Sequence, residues 1–174
     1  MSDIIVQKFG GTSVGSDERI SAVAQIIKNA KKDNQVIVVV SAMSGETNRL
    51  INLAKSFGDN PDRREFDALI STGEKVSASL LAMALNSIGV KAKSFSASQI
   101  SMKTTGHHSK AKIIDVDGEK ILATLNDDIV PIITGFQGVT ESGDVTTLGR
   151  GGSDTTAVAI AAHVNATRCD IYTD

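Results

Sequence analysis

Lys8, Gly10, Gly11, Thr12 and Ser13 come just after the apolar run Ile4-Ile5-Val6, across Gln7, and precede a helix-forming stretch. Phosphate is the ligand such a segment suits. Glycines let backbone N–H groups approach an anion closely, and a helix N-terminus adds partial positive charge. Lys8 supplies a full charge on a compact donor. In a Walker A loop the lysine follows the glycines, and the dinucleotide fingerprint is G-x-G-x-x-G. Here the lysine comes first, so it projects from the strand end. Taken alone, the segment reads equally as a tight turn.

A second glycine-rich opening, Gly149-Arg150-Gly151-Gly152-Ser153-Asp154, precedes a helix expected over Ser153 to Val164. Arg150 is a fork for a carboxylate or phosphate, and Ser153 with the following amides caps the helix. Asp154 is placed to orient a cation such as Lys8 or to sit near magnesium. The plainer reading is a glycine-rich loop with Ser153 or Asp154 as an N-cap. Two such openings, one carrying lysine and one arginine, together point to phosphate transfer.

These segments need a scaffold, and the chain has the size for one. Its 174 residues suit one domain, able to bury roughly two-thirds of its unfolded surface. Eighteen basic and twenty acidic residues give a net charge of −2, with no basic excess to suggest a nucleic-acid partner. One cysteine, Cys169, rules out an internal disulfide and fits a reducing compartment. No Cys/His metal cluster stands out, and no apolar run reads as membrane-spanning. The composition fits a cytoplasmic globular protein.

Strands and helices alternate. Strands are expected at Asp3 to Lys8, Gln35 to Val40, Val90 to Phe95, Ile129 to Thr134 and Cys169 to Thr173. Helices are expected at about Asp17 to Lys32, Glu46 to Phe57, Arg63 to Ser87 (Leu69, Val76, Leu80, Leu81 and Leu85 inward) and Gly118 to Asn126. Pro131 reads as early in its strand. Thr104 to Ser109, with His107 and His108, reads as an exposed hairpin tip, and Glu141 to Asp144 as a second hairpin turn. The pattern predicts a three-layer α/β/α sandwich with a mostly parallel central sheet. Ligands bind such sheets at strand C-terminal ends, here Gly10 to Ser13, Ser41 to Gly45, Gly135 to Gly138, and Asp174.

Lys8 to Val14, Ser71 to Glu74 (Ser-Thr-Gly-Glu), Gly135 to Gly138 (Gly-Phe-Gln-Gly) and Gly149 to Thr156 (Gly-Arg-Gly-Gly-Ser-Asp-Thr-Thr) together resemble aspartate kinase, of the amino-acid-kinase superfamily. The resemblance runs over the whole chain, in order. It implies the reaction of ATP with L-aspartate to give ADP and 4-phospho-L-aspartate, the first step toward lysine, threonine and methionine. By that likeness Lys8, Gly10, Gly11 and Ser13 hold the phosphoryl group, and Thr173 and Asp174 open the nucleotide pocket. Asp154 holds Lys8 or the magnesium shell. Glu74 pairs with the substrate α-ammonium, Arg150 clamps a substrate carboxylate, and Ser41, Thr47, Phe136 and Ser153 line the pocket. Mg2+ enters with ATP, held mainly through its phosphates.

The resemblance further implies that residues 1–174 are the N-terminal portion of the catalytic domain. The rest of the nucleotide-binding region and the regulatory ACT domains would lie beyond it, leaving this chain alone weak or inactive. A homo-oligomer, or association through an exposed edge, is expected. Two other readings stand beside it. One is a related kinase of amino acids or carboxylates; the other is a noncatalytic fragment that binds a partner.

Overall fold

The computed structural model describes residues 2–173, so Asp174 lies outside the described residues. Five parallel strands form the central sheet: β1 (Asp3–Phe9), β2 (Asn34–Val40), β3 (Ala92–Phe95), β6 (Val130–Thr134) and β9 (Arg168–Tyr172), in the order β3-β6-β2-β1-β9. The unbroken apolar run of β2 follows from its position. It lies between β1 and β6 with both faces covered, and Val36 to Val40 are at most 1% exposed. Each such side chain contributes roughly 1.5–3 kcal/mol of burial.

Alternation along the strands divides the core in two. Ile5, Phe9, Val36, Val38, Val40 and Ile132 face α1 (Asp17–Ala30) and α4 (Thr72–Ser87). Val6, Ile37, Val39 and Ile133 face α5 (Glu119–Asn126) and α6 (Gly152–His163). This is the expected α/β/α sandwich. Lys8, in step with Val6, is thereby directed to the α6 side, and Gln7 to the other.

Local chemistry sets the helix ends. Ser16, extended at φ −151°, accepts a hydrogen bond from the Arg19 amide at 3.3 Å, with Asp17 and Glu18 in the first turn of α1 and Lys28 in the last. The helix therefore starts beyond Gly10–Ser13, which turn on their own through a Gly15 N–H bond to the Thr12 carbonyl. α2 (Glu46–Lys55) starts from Gly45 at φ 82° and α6 from Gly151 at φ 71°, backbone that glycine adopts without penalty. The expected Ser153 cap is thus displaced: Ser153 lies inside the first turn of α6.

The single helix expected over Arg63 to Ser87 is two, α3 (Arg63–Ile70) and α4, broken at Ser71. The Ser71 carbonyl accepts a hydrogen bond from Gln137 Nε2 at 2.9 Å. By length and composition these 25 residues could cross a bilayer. Half of the most apolar stretch is buried inside the protein, as in a core helix. Val76, expected inward, is 47% exposed because Ser77 and Ala78 take the buried face.

A second sheet, β5-β4-β7-β8, joins the two expected hairpins, which the sequence had left separate: β4 (Lys103–Thr104), β5 (Ile113–Asp115), β7 (Gln137–Val139) and β8 (Val145–Thr147). β4 runs parallel to β7, where Gly138 admits Thr104: a Cβ there would lie 2.1 Å from Thr104 Cγ2. His108 departs from the expected exposed tip, being half-buried with Nδ1 3.0 Å from Asp67 Oδ2. Cys169 is only partly buried, and burial pushes its thiol pKa up.

Candidate active site

The end of β1 and the loops following β2, β6 and β8 meet the first turns of α2, α4 and α6 around a cleft of about 550 Å³. Lys8, Ser41, Thr47, Glu74, Phe136, Arg150, Ser153 and Asp154 all line it. Residues from six separate segments of the sequence are thus gathered in one place. Three helix N-termini facing one cleft favour anionic ligands.

Lys8, 7% exposed at the end of β1, reaches Asp154 in the first turn of α6, with Nζ 2.7 Å from Oδ1. The lysine is nearly buried while the Asp154 side chain is 48% exposed, so the pair presents one open carboxylate edge. Gly10 lies beside it; a Cβ there would come within 3.5 Å of Lys8 Nζ. The Gly10 amide donates to the Tyr172 carbonyl at 3.2 Å, so its expected role as a phosphate donor competes with a bond that ties β9 to the site. Tyr172 stacks on Phe9, with centroids 4.6 Å apart, and its hydroxyl accepts from Gln7 Nε2. Thr173 is exposed at the same end of the sheet. Gly10, Gly11, Ser13 and Thr173 do not line the cleft.

Gly11 holds the β1 and β2 loops together. Its carbonyl accepts from the Ser44 amide at 3.0 Å, and a Cβ would lie 2.8 Å from the Ala42 carbonyl. Gly73 does the same for α4, where a Cβ would lie 2.8 Å from Ala42 Cβ. That close approach brings Glu74 against the β2 loop. The Ala42 amide donates to Glu74 Oε1 at 3.2 Å, and Ser77 Oγ donates to the Ser41 carbonyl at 2.7 Å.

Glu74 is 2% exposed, and its Oε2 has no hydrogen-bond partner. Burial pushes its carboxyl pKa up to about 7, against the smaller downward pull of backbone hydrogen bonds at Glu74 and Ala42. A buried carboxylate with one bare oxygen, lining a cleft, is a site for a cation.

The opposite wall is built on Phe136, whose φ of 71° is unusual for a side chain of its size and costs on the order of 1–2 kcal/mol. It is held by its own amide donating to Thr156 Oγ1 (3.2 Å) and by the Leu148 amide donating to its carbonyl (2.8 Å). Bare Gly135 admits Ser153, since a Cβ would stand 2.6 Å from Ser153 Oγ. Gly152 sits against the Phe136 ring in the same way, at 2.9 Å. Arg150 is exposed and forms no ion pair among the described residues. Asn48, Ile51 and Ile70 also line the cleft and had not been singled out from sequence. Asn48 follows Thr47 on α2, but Ile51 and Ile70 carry no signal separating a pocket wall from core.

Comparison with known proteins bears on this geometry. A profile of the amino acid kinase family matches residues 3–174. The chain is 55% identical over 172 residues to the aspartokinase of Geobacillus stearothermophilus, covering 98% of this chain and 42% of that protein. It is 54% identical to the aspartate kinase of Pseudomonas putida over the same shares. The structure of Escherichia coli aspartokinase III in complex with aspartate and ADP superposes with a TM-score of 0.90 at 27% identity, over 99% of this chain and 49% of that one. The Synechocystis aspartate kinase gives 0.83 at 46% identity, over 98% and 28%. The chain spans about 42% of the length of the curated relatives it matches. It belongs to the amino acid kinase family and is homologous to the aspartate kinases within it.

Proposed function

We propose that this cleft binds L-aspartate as phosphoryl acceptor and serves the transfer of the γ-phosphoryl group of ATP to its side-chain carboxylate. The observation that carries the reading is Glu74: a buried carboxylate with a bare oxygen, in the cleft that also holds Arg150 and the Lys8–Asp154 pair. An α-amino acid with an acidic side chain presents one ammonium and two carboxylates. Glu74 takes the ammonium, Arg150 clamps the α-carboxylate bidentately, and the side-chain carboxylate is left to face Lys8. Thr47, Ser41 and Ser153 offer hydroxyls around it, with Phe136 as a wall. The names of the similar proteins, aspartokinases and aspartate kinases, support this acceptor.

The acceptor carboxylate is already ionised near neutrality, so no base is needed and catalysis rests on position and charge. A carboxylate oxygen forms a bond to the γ-phosphorus as the bond to the β-phosphate oxygen breaks, and ADP leaves with that electron pair. Lys8 stabilises charge on the transferring group, and Asp154 fixes the lysine. Magnesium, when bound with ATP, neutralises triphosphate charge. Asp154 is the residue whose open carboxylate fits a magnesium-bound water, and no cluster of three His, Cys, Asp or Glu occurs among the described residues.

We further propose that these 174 residues bind the acceptor with little turnover. The cleft-lining cations are Lys8, already paired with Asp154, and Arg150, assigned to the acceptor. That is little charge for a triphosphate. Calorimetric titration with L-aspartate tests the reading, with N-acetyl-L-aspartate as control. Binding of the free amino acid alone is expected. Equal binding of both removes Glu74 from the ammonium site and favours an N-acylated or other carboxylate acceptor. Aspartate-dependent ADP release at a robust steady rate overturns the low-turnover reading.

A further inference from the structure

We propose that Asp67 is a positioning residue for Arg150, acting through Thr147; this rests on the assignment of Arg150 to the substrate carboxylate. Asp67 lies on α3 and is fully buried, at 0% exposure. Both its oxygens are filled. Oδ1 accepts from Thr147 Oγ1 (2.8 Å) and Ser109 Oγ (3.2 Å). Oδ2 accepts from the Thr147 amide (2.9 Å) and the Ser109 amide (2.9 Å), with His108 Nδ1 at 3.0 Å. The four hydroxyl and amide donors fill the roughly four acceptor sites of a carboxylate, with His108 Nδ1 at hydrogen-bond distance beside them.

Asp67 lines no wall of the cleft, yet what it grips leads straight to Arg150. Thr147 ends β8, three residues before the arginine. Ser109 stands on the other side of the same loop, its carbonyl 3.4 Å from where a Gly149 Cβ would be. The Thr147 carbonyl is itself tied to the Ala111 amide at 3.0 Å, and the Leu148 amide to Phe136. Beyond Gly149, the Gly152 N–H bonds the Gly149 carbonyl at 3.1 Å and, at the start of α6, the Thr155 amide (3.0 Å) and Oγ1 (3.2 Å) bond the Gly151 carbonyl; none of these bonds is made by Arg150. Arg150, unpaired among the described residues, thus inherits its place from the post at Thr147. A salt bridge could not substitute without neutralising the charge that the ligand needs.

The test uses the 174-residue chain, amide hydrogen exchange and calorimetry with L-aspartate. Thr147→Val keeps the shape and removes the hydroxyl donor; Thr147→Ser keeps the donor; Asp67→Asn removes the hub's charge. In Thr147→Val, exchange at residues 148–152 is expected to quicken about tenfold or more while β1 and β2 amides keep their protection. The L-aspartate Kd rises about tenfold, the scale of one lost charged hydrogen bond, and Thr147→Ser rescues both readouts. Exchange at 148–152 that is unchanged, or that quickens only in step with β1 and β2, overturns the proposal by making Asp67 a general stability contact. If the unsubstituted chain ignores L-aspartate, the acceptor assignment fails while exchange still decides the clamp. Should Asp67→Asn fail to fold, Thr147→Val remains decisive.

Discussion

Replacing Glu74 by glutamine keeps shape and removes the charge that burial disfavours. The folded carboxyl titrates at about 7, against an ordinary value of 4.5. The folded state therefore holds its proton more tightly than the unfolded chain. Between pH 4.5 and about 7 unfolding releases that proton, so the wild-type chain loses stability as pH rises through this window and is flat above it. At 1.36 kcal/mol per pK the loss approaches about 3 kcal/mol by pH 8. Glu74→Gln escapes it. The new amide nitrogen meets the same lack of partners as Oε2, a cost of about 1–3 kcal/mol that does not vary with pH.

The diagnostic is thus the pH dependence of the difference between the two proteins, in which the histidines cancel. Relative to wild type, Glu74→Gln should gain about 3 kcal/mol between pH 4 and pH 8, or roughly 6–12 °C in Tm for a chain of this size. Urea denaturation at half-unit pH steps measures it. Stability curves for the two proteins that run parallel across that range would refute the reasoning. With L-aspartate at about a hundredfold its Kd, wild type should recover about 2.7 kcal/mol at pH 8, while the variant gains far less.

Arg150→Ala should leave stability within about 0.5 kcal/mol, since the residue is exposed, and weaken L-aspartate binding by about tenfold or more in calorimetry. Lys8→Met should lower urea stability by about 1–3 kcal/mol, because Asp154 Oδ1 is buried and meets Lys8 alone among the described residues, while abolishing any titration heat with magnesium–ATP. Gly73→Ala sets a helix-propensity gain of about 1 kcal/mol against a Cβ contact at 2.8 Å from Ala42. Overpacking of about 1–3 kcal/mol should win, lowering Tm and L-aspartate affinity together; a higher Tm would show that the β2 loop yields.

The central sheet was legible because β2 must be apolar on both faces and the alternating pattern elsewhere assigns the layers. The cleft-lining residues were legible because glycine, arginine and glutamate stood at strand ends and helix starts. The break at Ser71 was not, since it depends on a hydrogen bond from Gln137, 66 residues away in sequence. Nor was the hub at Asp67: one aspartate in an amphipathic helix resembles any solvated charge until β8 and the hairpin close over it. The joining of two hairpins into one sheet turns on the fit of Thr104 over Gly138, a contact between residues with no shared pattern.

Glu74 also explains why a cleft lined by helix N-termini spends one of them on its own carboxylate. At the third residue of α4 the helix dipole and the Ala42 amide both favour the charged form. Its pKa nonetheless rises, so desolvation exceeds both. The protein has therefore left an anion destabilised in the one place where helix dipoles would best support it. Moving the carboxylate outward by one turn would relieve it and also surrender selectivity, because a solvated glutamate discriminates weakly between an ammonium and an amide. On the proposed acceptor role, buried Glu74 is expected to disfavour an acceptor whose nitrogen is acylated, since a neutral amide N–H brings the bare Oε2 no compensating positive charge. On that proposal, selectivity for a free amino acid and the pH-dependent instability of the empty site would be two consequences of the same desolvated carboxylate.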